Sequence, residues 1–457
     1  MPTERGTSQT KPANRLRREA GLFQVVTYGV GSIIGAGIYV LVGDASGLAG
    51  GMLWLAFGIG ALIALPTGLA YAELSSMYPR TASEYVYVGR AYGSRGLSFI
   101  KQWMMLLTEL VAAAAIALGF GRYLSSLVSV PVMPIAASVL VGLTAITMLG
   151  IKGSLRVNGV LSLVAIAGLL FVIIFGVHRI GVADYTSSPH GLSGIFGATA
   201  LVFFAFIGFD NVANLSEETK QPERTIPRGL LIALGITTLL YVLIGLVAVS
   251  VVPWQELSAS KAPLALVASK SLGHVAFDIV AITAMLTTLN TVLVQLLVSS
   301  RIVYGMGQEQ ALPGGFGRVS RRTSAPVLAS GAAMLAALAF LSLGSVDVVA
   351  KVTSFGSLLT FAAVNLALLH LRRVAPHASR PFRVPLTIGW VSIPALLGLL
   401  SCLAMLTRFD WFSATLGLSL SLSGWLFYMV YTRQHSTEAS AFHEPHETGP
   451  PGKAAGT

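Results

Sequence analysis

The stretch FQVVTYGVGSIIGAGIYVLVG, residues 23–43, holds no acidic or basic side chain and sets four glycines, Gly29, Gly31, Gly35 and Gly37, within nine residues. Its length fits the roughly 20 apolar residues that a helix needs to cross a hydrocarbon core of about 30 Å. Its glycines do not fit a continuous helix, because each costs about 1 kcal/mol against alanine in a helix interior. Close packing of two helices through small residues would explain a single pair. Four glycines in mid-span point instead to a place where the helix unwinds, and irregular backbone at that depth is tolerated only where it lines a cavity or is buried in protein. A break frees N–H groups at the start of the outer half-helix, which can hold a carboxylate, and carbonyls at the end of the inner half, which can hold a cation or an ammonium. A dinucleotide-binding reading of the glycines fails, since that fingerprint needs a preceding strand and a βαβ unit.

The rest of the chain agrees with a bilayer as solvent. Of 457 residues, 54% are hydrophobic and 11% charged, against roughly 25% charged in a soluble domain, and the mean hydropathy is +0.75. Runs without charge recur instead of alternating with polar faces, which excludes a water-soluble globular protein. Twelve runs of spanning length lie near residues 23–43, 51–74, 98–121, 131–150, 157–177, 194–212, 229–252, 275–299, 325–343, 346–371, 389–407 and 411–431. The first is no cleavable signal peptide, because its apolar run is too long and no small-residue cleavage site closes it. The one cysteine, Cys402, sits in LLGLLSCLAML and can form neither an intramolecular disulfide nor a metal-thiolate cluster.

The net charge of +11 reads as membrane topology and not as nucleic-acid binding, because the basic residues are scattered between apolar runs. With the N-terminus inside, the outer side keeps Arg122, Arg179, Lys261, Lys270, Lys351 and Arg408, and the other 24 of the 30 Lys and Arg fall on the inner side. That asymmetry predicts an even number of spans with both termini cytoplasmic. Residues 1–20 and 433–457 are polar tails with little to bury and are expected to be disordered. The tail histidines His435, His443 and His446 read as part of that flexible surface rather than as metal ligands.

A second irregular place is FFAFIGFD, residues 203–210, which ends in a charge and runs straight into a polar loop. Interrupted segments in spans one and six stand five spans apart, the relation expected of two inverted repeats with a binding site between them. Glu109 lies inside span three. A charge at that depth costs several kcal/mol unless paired or protonated, so Glu109 is a functional candidate, with a carboxylate hydrogen-bonded between helices as the alternative. Glu73 and Asp210 fall near cytoplasmic span ends and are expected to pair with loop arginines such as Arg80. Asp278 opens span eight and receives no role. The spans hold no clustered nucleophile, metal ligands or paired acids, so an enzyme is not expected.

GSIIGAGIYV (31–40), YAELSSMYPRTASEYVYVGRAYG (71–93), FFAFIGFDNVANLSEETKQPERTIPRG (203–229) and SSRIVYGMGQEQALP (299–313) together resemble the amino acid/polyamine/organocation (APC) superfamily, closest to its cationic amino acid transporter branch and bacterial homologues. The resemblance covers roughly residues 20–432. It implies an all-α membrane protein of the LeuT type: twelve transmembrane helices in a 5+5 inverted repeat, helices 1 and 6 broken, plus two additional C-terminal helices. The transporter domain would then span 21–432, with repeat one about 21–178, repeat two about 192–372 and helices 11 and 12 about 389–432. The implied activity is an amino acid permease in the plasma (inner) membrane, moving a cationic or small neutral amino acid by alternating access. An exchanger, an uncoupled uniporter and a nutrient receptor on a transporter fold are the alternatives. Residue by residue, Ile33, Gly35, Ala36 and Gly37 match the family's broken first helix, whose backbone holds the substrate carboxylate. Phe204, Ala205 and Ile207 match the sixth-span break, where an aromatic covers the substrate and carbonyls receive its ammonium. Gln295 matches an eighth-span position that touches the substrate side chain, with helix packing as the alternative, and Glu109 matches a carboxylate of the cationic branch.

One departure concerns coupling. Many proton-coupled members carry a fifth-span lysine, and the matching place in RVNGVLSLVAIAGLLF, seven residues after Asn158, is Ala165. Proton coupling would then need another titrating group, for which Glu109 is the candidate. Thr287 and Thr288 in span eight offer hydroxyl oxygens for sodium. No cofactor beyond such a coupling ion is implied, and the sequence assigns neither an oligomeric state nor an accessory subunit.

Overall fold

The computed structural model describes residues 16, 18–128, 131–260, 262–341, 346–407 and 411–432. The expected disordered tails, apart from residues 16 and 18–20, lie outside the described residues, as do the three tail histidines. The apolar run that opens the chain forms two helices, α1 (Leu22–Ile33) and α2 (Ala36–Ala49), with Ile34 and Gly35 between them. Ile34 leaves the helical region at φ −74°, ψ 83°, and Gly35, extended at φ −111°, ψ −161°, starts α2. A 3-10 turn leads into α3 (Leu53–Met77), and the short α4 (Ser83–Tyr92) follows a left-handed Ala82. Three long helices come next: α5 (Arg95–Val128), α6 (Val132–Met148) and α7 (Ile151–Gly176).

The second interruption has a different shape. Helix α8 (Gly191–Phe203) tightens into a 3-10 turn at Phe204–Phe206, Ile207 is extended, and the chain resumes as a 3-10 helix over Asp210–Glu218. Gly208 between them has φ +120°, and a Cβ there would press on the Ser32 carbonyl, so glycine is required on both counts. The second half continues with α9 (Pro222–Val251), α10 (Trp254–Ala259), α11 (Pro263–Leu272), α12 (His274–Gln308), α13 (Val327–Phe340) and α14 (Val346–Val374). A hairpin of β1 (Thr387–Ile388) and β2 (Val391–Ser392), paired Thr387 to Ser392 and Ile388 to Val391, precedes α15 (Ile393–Leu406). Helix α16 (Trp411–Phe427) ends in a π-helical turn, Tyr428–Thr432.

Each of the twelve apolar runs therefore contains helix among its described residues. Seven helical stretches among the described residues are long and apolar enough to cross a membrane, and α1, α6, α11, α13 and α15 are shorter apolar helices. The chain is a helical integral membrane protein, with a four-residue hairpin and an isolated bridge between Ala20 and Thr219 among the described residues. The outward surface fits that solvent: Leu62 is 68% exposed and Leu239 61% exposed, although both lie in mid-helix. Inside, α3 lies along α9, α5 along α12, α2 along α8, and α1 between α7 and α9. Helices α15 and α16 pack on the outside, against α3, α5 and α14.

Buried charges hold one end of the bundle, and Glu73 meets a loop arginine as expected, Arg380, though not the one the sequence suggested. Glu73 does not pair with Arg80. Its carboxylate accepts from Arg372 Nε at 3.0 Å, Arg380 Nε at 3.1 Å and the Val384 N–H at 2.7 Å, and Arg372 Nη2 completes the pair. The last turn of α14 supplies Arg372, and the segment after it folds back under α3 to bring Arg380 and Val384, all about 300 residues away, while Arg80 stays exposed. Asp210, by contrast, has no arginine partner among the described residues; its Oδ1 accepts from the Gly208 N–H at 3.1 Å. The buried acid in that segment that does pair is Glu218, 2.9 Å from Arg301 Nη2. At the opposite end, the loop after α7 closes over the α2–α3 turn: the Asp184 carbonyl leaves no room for a Cβ at Gly51. The Thr186 hydroxyl, and secondarily its N–H, hold the exposed Asp184 carboxyl below the usual carboxylate range.

Candidate functional site

The two interruptions meet. Ser32 Oγ donates to the Gly208 carbonyl at 2.8 Å and accepts from Asn211 Nδ2 at 3.1 Å. The Tyr241 hydroxyl, brought in by α9, lies 2.9 Å from the Ile33 carbonyl and 3.1 Å from the Ala205 carbonyl. Gly37 packs so closely on the second break that a Cβ would stand 3.2 Å from Ala205 Cα. A Cβ on Gly35 would stand 2.8 Å from Thr291 Oγ1 of α12. Gly29 and Gly31, by contrast, are packing glycines: a Cβ would meet Ala233 and Val212 at the first, and Ser162 and Asn290 at the second. The glycine-rich stretch thus does both things its sequence allowed, close packing in α1 and unwinding at its end.

Between the breaks lies a cavity of about 210 Å³, below the roughly 300–1,000 Å³ of sites for drug-sized ligands and of a size for a small metabolite. Ile33, Gly35, Gly37, Glu109, Phe204, Ala205, Ile207 and Gln295 all line it, and Ala36 opens α2 between the two lining glycines. The N-terminus of α2 brings the N–H groups of Ala36 and Gly37, the first of the helix, to this wall. The Gly35 N–H turns back to the Ile33 carbonyl at 2.8 Å, and the Tyr241 hydroxyl reaches both that carbonyl and the Ala205 carbonyl. Gln295 Oε1 and Thr353 Oγ1 are buried without a hydrogen-bond partner. Glu109 is 4% exposed on α5. The remaining lining is mostly apolar, with Leu41, Ala112, Ala115, Ile116 and Val294.

Of the coupling candidates, Glu109 is in the cavity wall and Ala165, Thr287 and Thr288 lie elsewhere. Ala165 is fully buried in α7, and its carbonyl accepts from the Tyr39 hydroxyl at 3.0 Å. A polar network stands one turn earlier: Asn158 Nδ2 donates to Asn290 Oδ1 at 3.0 Å, while Asn290 Nδ2 lies 3.2 Å from both Ser162 Oγ and the Gly31 carbonyl. Thr287 and Thr288 direct their hydroxyl protons to carbonyls of their own helix, Thr283 and Ala284, at 2.8 Å each. Neither lines the cavity; Thr291, one turn on, does.

Sequence reasoning missed Asp44, Asn211, Thr291 and Tyr241. Asp44 carried a usable signal, a charge inside an apolar run. It sits exposed at the α2 end of the cavity. The other three are polar residues within helical segments, and only the packing of distant segments sets them apart.

The comparisons with known proteins agree with this arrangement. The family described as amino acid permease matches residues 21–438. The chain is 31% identical over 449 residues to the branched-chain amino acid permease BcaP of Bacillus subtilis, covering 93% of this chain and 96% of the relative. It is 29% identical over 469 residues to the methylthioribose transporter of the same organism, covering 95% and 97%. It is 32% identical over 393 residues to the vacuolar cationic amino acid transporter 4 of Arabidopsis thaliana, covering 79% of this chain and 64% of that relative. Two meeting helix breaks around a small cavity, in a chain that these transporters match over most of its length, place it in a family of carriers rather than enzymes: the chain belongs to the amino acid permease family of the APC superfamily.

Proposed function

We propose that the chain carries an amino acid across the plasma membrane by alternating access around the cavity between its two helix breaks. In this reading twelve spans form a 5+5 inverted repeat of the LeuT type with two added helices, and both termini are cytoplasmic. The substrate carboxylate sits on the N–H groups that open α2 at Ala36 and Gly37, beside Gly35, whose own N–H is held by the Ile33 carbonyl. Its ammonium sits on the Ala205 carbonyl, beside that of Ile33, under Phe204. A zwitterion stripped of water needs both charges met at once, and the two breaks offer donors and acceptors a few ångströms apart. The single observation that carries the reading is the Tyr241 hydroxyl, which ties the carbonyl ends of both breaks to one point.

The side-chain end of the cavity supports a neutral apolar substrate through Leu41, Ala112, Ala115, Ile116 and Val294, and it has Gln295 for a polar atom. Asp44 and Glu109 favour a second reading, a cationic side chain, since two carboxylates and no Lys or Arg line the cavity. An anionic side chain is disfavoured on both readings. The coupling ion is a proton, with Glu109 as a titrating group in the cavity in place of the fifth-span lysine; sodium at Thr287 and Thr288 is the weaker fit, since both are set back from the cavity wall. Uptake of labelled leucine, arginine, alanine and glutamate into proteoliposomes tests the reading. Saturable uptake of leucine, alanine or arginine, with glutamate excluded, is the expected result. Uptake of glutamate alone, or of none of the four with or without internal substrate, would contradict it.

A further inference from the structure

Away from the cavity, three ionisable side chains from three elements are buried near one another, each with a polar atom left unpartnered. Lys101 of α5 is 6% exposed, and Glu84 of α4 and Asp210, just beyond the Gly208 break, are fully buried. Lys101 Nζ, Glu84 Oε2 and Asp210 Oδ2 have no hydrogen-bond partner. The fields of Glu84 and Asp210 reach Lys101, and the same two carboxylates reach Glu109 in the cavity wall. Neighbouring groups face the same space. Tyr71 of α3 donates to Glu84 Oε1 at 3.0 Å, while Gln102 Nε2, Asn214 Nδ2 and the Tyr87 hydroxyl are further buried atoms without partners. Arg301 of α12 is committed to Glu218, and Tyr28 of α1 lies within the field of that pair and of Asp210. Unmatched donors and acceptors side by side mark a place for internal water.

A line of hydroxyls runs from this cluster toward the cavity. Thr353, Ser357 and Thr360 share one face of α14, and all three hydroxyls are buried without partners. Thr353 lines the cavity beside Glu109. Thr108 Oγ1, also without a partner, fills the space a Cβ on Gly356 of α14 would need. Lys101 lies seven residues from Thr108 on the same face of α5, about 11 Å along the axis.

We propose that Lys101, Glu84 and Asp210 form a proton-binding site, joined to the substrate cavity at Glu109 by the hydroxyls of Thr108, Thr353, Ser357 and Thr360. One ammonium and two carboxylates are electrically balanced in a buried site only when one carboxyl holds a proton, and uncompensated buried charge is strongly disfavoured. Asp210 is bonded through Oδ1 to the Gly208 N–H, so movement at the break moves the site. Opening admits water, the carboxyl O–H breaks, the proton leaves as hydronium and the carboxylate remains; closing reverses the step. Protonation is thereby tied to the conformational cycle, a link that rests on the alternating-access reading above.

The test uses the full chain in proteoliposomes with the membrane potential clamped. Uptake driven by an inward gradient of one pH unit is compared with exchange against the same unlabelled amino acid and no gradient. One proton per substrate drives about tenfold accumulation per pH unit, and the ratio of driven to exchange uptake is expected to fall to near one in Glu84→Gln and in Asp210→Asn. Each variant leaves one ammonium facing one carboxylate and so needs no added proton. A wild-type ratio of one, or wild-type ratios in both variants, overturns the proposal. Infrared spectra of the reconstituted protein at neutral pH test the site without any substrate: the protonated-carboxyl band is expected to lose a component in one variant or the other. A band unchanged in both overturns the site, whereas failure to transport any amino acid counts against the permease reading alone.

Discussion

The Tyr241 hydroxyl donates to the Ile33 carbonyl at 2.9 Å while the Ala205 carbonyl lies 3.1 Å from the same oxygen. The Ile33 carbonyl also accepts from the Gly35 N–H at 2.8 Å, so of the two it is the Ala205 carbonyl that depends on Tyr241 and keeps capacity for a cationic donor from the cavity. The hydroxyl thereby ties the two helix breaks to each other.

Tyr241→Phe removes that shared donor at a fully buried position. Leaving the buried Ala205 carbonyl short of its partner costs about 1–3 kcal/mol, so the variant should unfold at lower temperature than wild type. Added substrate should recover part of the loss, as a ligand that binds only the folded state does. Thermal unfolding with and without amino acid checks this; a wild-type melting curve for the variant would remove Tyr241 from the account.

Gly35→Ala sets a methyl 2.8 Å from Thr291 Oγ1. Binding should weaken, and Thr291→Ala in the same chain should restore much of it, since neighbouring substitutions couple by about 0.5–3 kcal/mol. Gly37→Leu faces the backbone of Ala205 and should abolish binding in a folded protein with no such rescue. Titrations on these three variants and on Thr291→Ala alone decide the matter, and additive effects at Gly35 and Thr291 would contradict the geometry.

Glu73→Gln breaks a buried carboxylate from Arg372 and Arg380. Removing one partner of such a group costs about 3–5 kcal/mol, so the variant should be recovered from membranes in poor yield and unfold early. Arg80→Ala should do neither. Equal sensitivity of the two would restore the pairing that the sequence alone led us to expect.

The positions of the two breaks were legible because glycine density in mid-span and an aromatic run ending in a charge are local signals. Eight of the nine substrate residues proposed from sequence line one cavity, and Ala36 opens the helix beside it. What was not legible depends on distant pairing. Glu73 meets arginines about 300 residues later, and nothing near it in sequence distinguishes them from Arg80. Tyr241 sits in an ordinary apolar helix. Lys101 was counted as a topological charge at a span end, yet it is buried, because the long α5 carries it inside the bundle beside α4.

Selectivity should respond to the cavity acids in order of burial. Glu109→Gln should lower the preference for a cationic over a neutral amino acid by about tenfold, a change of about 1.4 kcal/mol. Asp44→Asn should have a smaller effect, because water screens an exposed carboxylate. Competition between arginine and leucine measures both, and an unchanged ratio in Glu109→Gln would return that residue to a structural role.

The central claim is that the two breaks hold the two charges of one zwitterion, and competition by blocked analogues tests it most directly. The amide of a transported amino acid lacks the carboxylate, and its N-acetyl derivative lacks the ammonium. A hydrogen bond to a charged group contributes about 1.5–3 kcal/mol, so each analogue should compete at least about tenfold more weakly than the parent. Either analogue competing as well as the free amino acid would contradict the account.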